Sequence, residues 1–430
     1  MLLLRLYSAV TALARPLLMR KLRRRAQAEP LYLHATHQRF AKYTEEERAQ
    51  AATYAGQWVW VHAVSLGETR AASILLDVLR EAVPDVRIVL THGTATGLEE
   101  GRKLLRPGDM QLWQPWDSRA ATQGFIRTVR PRLGLIMETE IWPNLLQACH
   151  QAHVPVALVN ARMSEKTLQQ SLQLQQMAAH IYGLLSVAYA QTQQDAQRLQ
   201  QLTNVRVVVT GNLKFDAKPD AQQLAQAQQW RQGLHKPVVT LASSREGEEA
   251  MWLQAVQTLP AAQRNAVHWL IVPRHPQRFD GVEALLQQAG IQVARRSHWA
   301  GQPPTARDTI WLGDSMGEMA LYYGLSSVVL MGGSFAPFGG QNLIEACACA
   351  CPVLLGEHTF NFAQASEDAV QEQAAVRVAS MQAAVETALQ IAQNPQRLQT
   401  LQRNAQAYAQ RHQGAAKRMV QDMQQQGWIT

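Results

Sequence analysis

Val328-Val329-Leu330-Met331 runs straight into Gly332-Gly333-Ser334-Phe335-Ala336-Pro337-Phe338-Gly339-Gly340-Gln341-Asn342-Leu343-Ile344-Glu345. The four apolar residues read as a strand buried on both faces, and Asn342 onward reads as the start of a helix. Strand, glycine turn and helix form the unit from which parallel α/β sheets are built. The paired glycines let backbone amides converge on an anion, and the helix start adds partial positive charge. Asn342 and Glu345, three apart, place an amide and a carboxylate on one face, suited to ribose hydroxyls. The stretch is neither GxGxxG after a first strand nor GxxxxGK[ST], which excludes the usual dinucleotide and P-loop readings.

The same alternation extends in both directions. Upstream, Val238–Ala242, Trp269–Val272, Ile291–Ala294 and Thr309–Leu312 read as strands, and Val353–Leu355 follows. An earlier series comprises Trp58–Val61, Val86–Leu90, Met110–Trp113, Leu133–Met137, Val154–Val159, Val187–Ala190 and Val205–Thr210, with helical segments such as Arg70–Glu81 between. The chain therefore reads as two successive α/β domains with parallel sheets, whose strand ends would border a cleft. The expected division is an N-terminal segment 1–25, a domain over 26–215, a linker at 216–236, a domain over 237–405 and a helical tail at 406–430.

With 430 residues, 47% of them hydrophobic and 17% charged, the chain has material for two or three packed domains, which excludes global disorder. Its net charge of +8 is concentrated at one end: residues 1–25 hold Arg5, Arg15, Arg20, Lys21, Arg23, Arg24 and Arg25 and no acid. Removing those seven from the chain's 41 cations leaves the rest nearly balanced against 33 acids, so net charge gives no sign of a nucleic-acid partner. Met1–Met19 is apolar but interrupted by Arg5, Arg15 and Pro16, and most of the charge follows it, the reverse of a signal peptide. An uncleaved membrane anchor is expected, inserted or lying in the interface, with its basic flank on the cytoplasmic face. Each cation beside anionic phospholipid there is worth about 1 kcal/mol. Cys149, Cys347, Cys349 and Cys351 match no zinc spacing and read as reduced core thiols.

His62–Thr69 (HAVSLGET) follows a strand directly. Ser65-x-x-Glu68 is a capping-box pattern, and the same position suits Glu68 as a general base. A helix start lowers a carboxylate's pKa, whereas partial burial or a second carboxylate raises it. Glu138 and Glu140, at the end of strand Leu133–Met137, supply candidates for that second acid. Their E-T-E triplet has no D-x-D or clustered histidine beside it, so no metal site is expected. Arg162 and Lys214 follow strands and offer cations to an anion. Ser243 and Ser244 suit either a phosphate or plain N-capping, and Arg274 stands on a turn bracketed by prolines.

Taken in order, HAVSLGE (62–68), ETEIWPN (138–144), NARMS (160–164), GNLKFD (211–216), VPRHPQRF (272–279), GDSMGEM (313–319) and GGSFAPFGGQNLIEA (332–346) resemble the 3-deoxy-D-manno-octulosonic acid (Kdo) transferases of Gram-negative bacteria, across most of the chain. The resemblance implies a GT-B fold, two Rossmann-like domains facing a central cleft, the first binding acceptor and the second nucleotide sugar. It implies inverting, metal-independent transfer of Kdo from CMP-Kdo to the glucosamine disaccharide of a lipid A precursor, at the cytoplasmic face of the inner membrane. CMP-Kdo is a substrate, and no cofactor is expected. By position, Glu68 matches the catalytic base and Glu138 a second acid. Ser243, Ser244, Arg274, Ser334, Gly339, Gly340, Asn342 and Glu345 fall in segments associated with the CMP moiety, and Arg162 and Lys214 with anionic groups. Ser244-Arg245 stands where the family more usually has Thr-His, and Leu31–Tyr43 diverges from it. A UDP-sugar enzyme of the same fold and a membrane-docked nucleotide sensor are the competing readings.

Overall fold

The period-two geometry of a strand splits the core into layers. In β1 (Trp58–His62), Trp58 and Trp60 pack on one face with Phe125, while Val59 and Val61 pack on the other with Leu75 and Leu76. All five residues of β1 are buried, as a central parallel strand covered on both faces requires. The computed structural model describes residues 2–299, 301–304 and 309–429, so Met1 of the expected anchor and Thr430 of the expected tail lie outside the described residues.

The first sheet continues with β2 (Arg87–His92), β3 (Met110–Trp113), β4 (Leu133–Met137), β5 (Val156–Ala161), β6 (Val187–Ala190) and β7 (Val207–Val209). Its order is β3-β2-β1-β4-β5-β6-β7, with every pairing parallel. The order reverses between β1 and β4, and such a switch point is where open α/β sheets bind ligands.

The second sheet holds β8 (Val238–Ser244), β9 (His268–Pro273), β10 (Gln292–Arg295), β11 (Thr309–Leu312), β12 (Val328–Met331), β13 (Val353–Leu355) and β14 (Ala375–Arg377). They pair in parallel in the order β10-β11-β9-β8-β12-β13-β14. Without the edge strand β10 this repeats the order of β3-β2-β1-β4-β5-β6 in the first sheet, and the switch point falls between β8 and β12. Here Val239, Leu241 and Trp269 face one core with Trp252, while Val238 and Leu270 face another with Trp311 and Tyr322.

The chain divides into two compact units, Met1–Asp216 with Gln413–Thr430, and Ala217–His412. The segment 216–236 is not a free connection. Helix Ala221–Gln232, capped by Asp220, buries Ala227 and Trp230 with Leu321 and Leu325 in the second unit. The tail returns to the first unit. Helix Ala415–Gln425 buries Met419 and Met423 in the core shared with Leu75 and Leu76, and Asp422 accepts from Tyr189 at 2.7 Å and Arg206 at 2.8 Å.

Residues of the expected anchor form helices Leu2–Leu13 and Arg15–Ala26, and among the described residues no helix is long and apolar enough to cross a membrane. Both rest on the first unit. Tyr7 donates to Asp117 at 2.8 Å, Ser8 to Asn144 at 2.6 Å, and Trp116 to the Thr11 carbonyl at 2.7 Å. Leu4 and Leu22 are buried, whereas Leu3, Leu6, Val10, Leu13 and Leu17 stay exposed, Leu13 by 80%. Their three-and-four spacing makes one apolar stripe.

Candidate active site

Glu68 sits in the first turn of helix Leu66–Ala82, directly after β1. Ser65 caps that helix by accepting from the Glu68 amide, and its hydroxyl donates to Glu68 Oε1 at 2.8 Å. Glu68 Oε2 accepts from the Val64 amide at 2.8 Å, one residue before the cap, so the expected capping box closes only in half. The turn is clamped from β2. His92 Nδ1 donates to the Ala63 carbonyl at 2.8 Å, and the amides of Gly93 and Thr94 both reach the Val64 carbonyl. Burial is the main force on the Glu68 carboxyl and pushes it up to about 7, with Glu140 and then Glu138 adding repulsion against the two hydrogen bonds that pull it down. A carboxyl placed there shifts between acid and base near neutral pH.

Glu138 leaves β4 at the other side of the switch point with φ 53, a left-handed conformation that costs a non-glycine residue about 1 kcal/mol or more. Its carbonyl accepts from the Arg162 amide at 3.4 Å, and its carboxylate lies 4.0 Å from Lys214 and 3.5 Å from Asn160 Nδ2. Asn160, buried and itself at φ 54, also accepts from the Leu213 amide, which ties the ends of β4 and β5 to the Lys214 turn. The Arg162 side chain is exposed. Glu140 is raised by burial and by Glu138 and accepts from Trp142 Nε1 at 2.9 Å. The structure therefore gathers Glu68, Glu138, Glu140 and Lys214 at one switch point. Asn160 was missed as a site residue: it lies in a quoted motif, but its brace depends on a backbone conformation that spacing does not encode.

In the second unit Ser243 is bulged out of register between β8 and β9, with φ 55. Bulges of this kind re-aim a chain beside functional sites. Ser244 and Ser334, expected as donor contacts, have their hydroxyls bonded within the framework. Both are fully buried. Ser244 donates to Glu249 at 2.6 Å; Ser334 donates to the Met331 carbonyl at 2.5 Å and accepts from the Gly356 amide at 2.9 Å. Neither hydroxyl is presented outward. Gly339 and Gly340 form a left-handed bend with φ 88 and 78, and a side chain at Gly339 would collide with Asn361 and Phe360. Asn342 caps helix Leu343–Ala348 and donates to Glu345 Oε1 at 2.9 Å, and Glu345 is exposed. Arg274 follows β9, its amide bonded to the Ser244 carbonyl, and its guanidinium makes no ion pair with a described residue. The glycine turn's amides meet a carboxylate of the chain itself, Glu248, which the sequence reading passed over. All four cysteines are free thiols.

The family model described as 3-deoxy-D-manno-octulosonic-acid transferase (kdotransferase) matches residues 34–217. The 3-deoxy-D-manno-octulosonic acid transferase of Bordetella pertussis is 45% identical over 369 residues, 84% of this chain and 86% of that protein. The chain belongs to the Kdo transferase family. It is a glycosyltransferase, and the Kdo transferase of Haemophilus influenzae is also similar, 30% identical over 89% of each chain. The solved UDP-GlcNAc 2-epimerase of Neisseria meningitidis covers 86% of this Kdo transferase family member with TM-score 0.58 at 15% identity, a likeness of fold alone. The two Rossmann-like units are of the GT-B type.

Proposed function

We propose that the chain is an inverting, metal-independent Kdo transferase, moving Kdo from CMP-Kdo to the glucosamine disaccharide of a lipid A precursor in lipopolysaccharide biosynthesis. The observation that carries the mechanism is the Glu68 carboxyl, pushed up to about 7 at a switch point in a member of this family. Glu68 takes the proton of the acceptor hydroxyl. The hydroxyl oxygen bonds to the Kdo anomeric carbon as the bond from that carbon to the CMP phosphate oxygen breaks, and its electron pair leaves with CMP. Glu138 acts as a second acid that keeps Glu68 basic and, with Lys214 and Arg162, sets the charge around the acceptor. Arg274 offsets the charge growing on the phosphate, and Ser243, Gly339, Gly340, Asn342 and Glu345 hold the nucleotide. No cofactor takes part.

The exposed leucine stripe with Arg20, Lys21, Arg23, Arg24 and Arg25 supports an interfacial anchor on inner-membrane phospholipid at the cytoplasmic face, lying in the surface rather than crossing it. Mass spectrometry of a lipid A precursor incubated with protein and CMP-Kdo tests the reading. Added mass of Kdo is expected, and an unchanged acceptor defeats it. Stronger protection by UMP than by CMP against thermal unfolding would instead favour a UDP-sugar donor.

A further inference from the structure

Glu248 opens helix Glu248–Gln257 and is wholly buried, yet it forms no salt bridge within 4.0 Å among the described residues. Burial pushes its carboxyl up, and backbone amides of the glycine turn and of its own preceding loop oppose that shift. Oε2 accepts from Gly333 at 2.7 Å and from Arg245 at 2.8 Å, and Oε1 accepts from Phe335 at 3.0 Å. A helix-start carboxylate that merely capped its own helix would face the amides of that helix. Two of these donors lie more than eighty residues away, in the glycine turn that leaves β12. The turn is also pressed against the Ser243 bulge, since a Cβ on Gly332 would stand 2.4 Å from the Ser243 carbonyl oxygen. Its order continues forward: the Gly333 carbonyl accepts from the Gly340 amide at 2.7 Å, which joins the two glycine pairs.

We propose that Glu248 is a positioning residue for the nucleotide donor: its carboxylate is the resident anion of the glycine turn, filling the nest that a phosphate would otherwise enter and fixing the Gly339–Gly340 bend and Arg245 in place. The proposal rests on the reading of the second unit as the donor-binding half. It moves the donor phosphate off the amides of Gly333 and Phe335 and onto the Arg274 side of the β8–β12 switch point.

The test uses the full chain with Glu248→Ala and Glu248→Gln, measuring CMP affinity by calorimetry, KM for CMP-Kdo, kcat and thermal midpoint, with formate or with chloride at equal ionic strength. Glu248→Ala is expected to weaken CMP binding and raise the donor KM about tenfold, with kcat at saturating donor changed far less. Formate, a free carboxylate, should restore both the affinity and the midpoint, and chloride should not. Glu248→Gln, with one acceptor oxygen in place of two, should fall between. A folded Glu248→Ala protein that binds CMP as wild type does, or whose loss formate leaves untouched, overturns the proposal. If Glu248→Ala does not fold, Glu248→Gln decides: a raised donor KM with kcat retained supports the role, and an unchanged KM refutes it. Wild-type protein that ignores CMP, beside a Glu248→Ala variant still stabilised by formate, would defeat the donor-half reading and the positioning role while leaving the carboxylate as a structural anion.

Discussion

Glu68→Gln separates chemistry from stability, and the two should move in opposite directions. Glutamine keeps one carbonyl oxygen for the Val64 amide and a polar partner for Ser65, so the local hydrogen-bonding loss is about 1 kcal/mol. Against that, burial raises the carboxyl from 4.5 to about 7. A raised acid contributes most below its unfolded pKa, and its contribution falls as pH climbs through the folded value. Between pH 4.5 and 7 the wild-type protein therefore loses about 3 kcal/mol that the neutral amide does not. The variant should match or slightly trail wild type at pH 4.5 and exceed it by about 2 kcal/mol at pH 8, read as denaturant midpoints of the first unit's transition. Transfer of labelled Kdo to a lipid A precursor should drop about 10²–10⁴-fold, the usual contribution of a positioned base. The wild-type rate should rise with pH through about 7 as the carboxylate ionises. A folded variant within a few-fold of wild-type activity removes Glu68 as the base. A stability difference that does not change with pH would show that folding does not raise the carboxyl.

Arg274→Ala should weaken CMP binding by about 10- to 100-fold, the worth of a charge-assisted contact, without lowering the thermal midpoint, because the side chain makes no ion pair with a described residue; isothermal titration measures it. Gly332→Ala places a Cβ 2.4 Å from the Ser243 carbonyl oxygen and 2.6 Å from Ser244 Cα. With backbone on the far side the strain should cost about 1–3 kcal/mol, seen as a lower denaturant midpoint for the second unit. Leu13→Glu with Leu17→Glu removes two exposed leucines, each worth about 1.5–3 kcal/mol when buried in acyl chains. Flotation with anionic vesicles should fall more than tenfold while the melting curve stays unchanged, and undiminished flotation would remove the stripe from the membrane contact.

Short, mainly apolar runs made the fold legible. Met110–Trp113, Leu133–Met137, Val187–Ala190, Val328–Met331 and Val353–Leu355 form the strands expected of them, because burial on both faces leaves little choice of residue. β14 escaped because Ala375–Arg377, as short as Val353–Leu355, carries a charge where that strand is wholly apolar. The Gln- and Ala-rich composition of 216–236 reads as a surface connection with some helix and hides its packing, since Ala227 and Trp230 suffice to dock it. At the site, the segments carrying Glu68 and Glu138 were readable, but the direction in which Glu68 titrates depends on tertiary burial competing with a helix start. At Ser244 and Ser334 the sequence does not show the partners that the hydroxyls find, Glu249 and the Gly356 amide. Glu248 sat in the stretch read as a helix cap, with two of its amide partners far along the chain.

The return of Gln413 and the residues after it to the first unit bears on how the molecule is made. On a ribosome the first sheet is laid down by Val209, whereas helix Ala415–Gln425, which covers Leu75 and Leu76, is polymerised only after the whole second unit. At ~5–20 residues per second that interval lasts roughly 10–40 s. Throughout it the back of the helix bearing Glu68 is a bare apolar surface. Translation that stops before Gln413 leaves that surface open to chaperones and proteases, so damage at one end of the message is felt in the half encoded at the other.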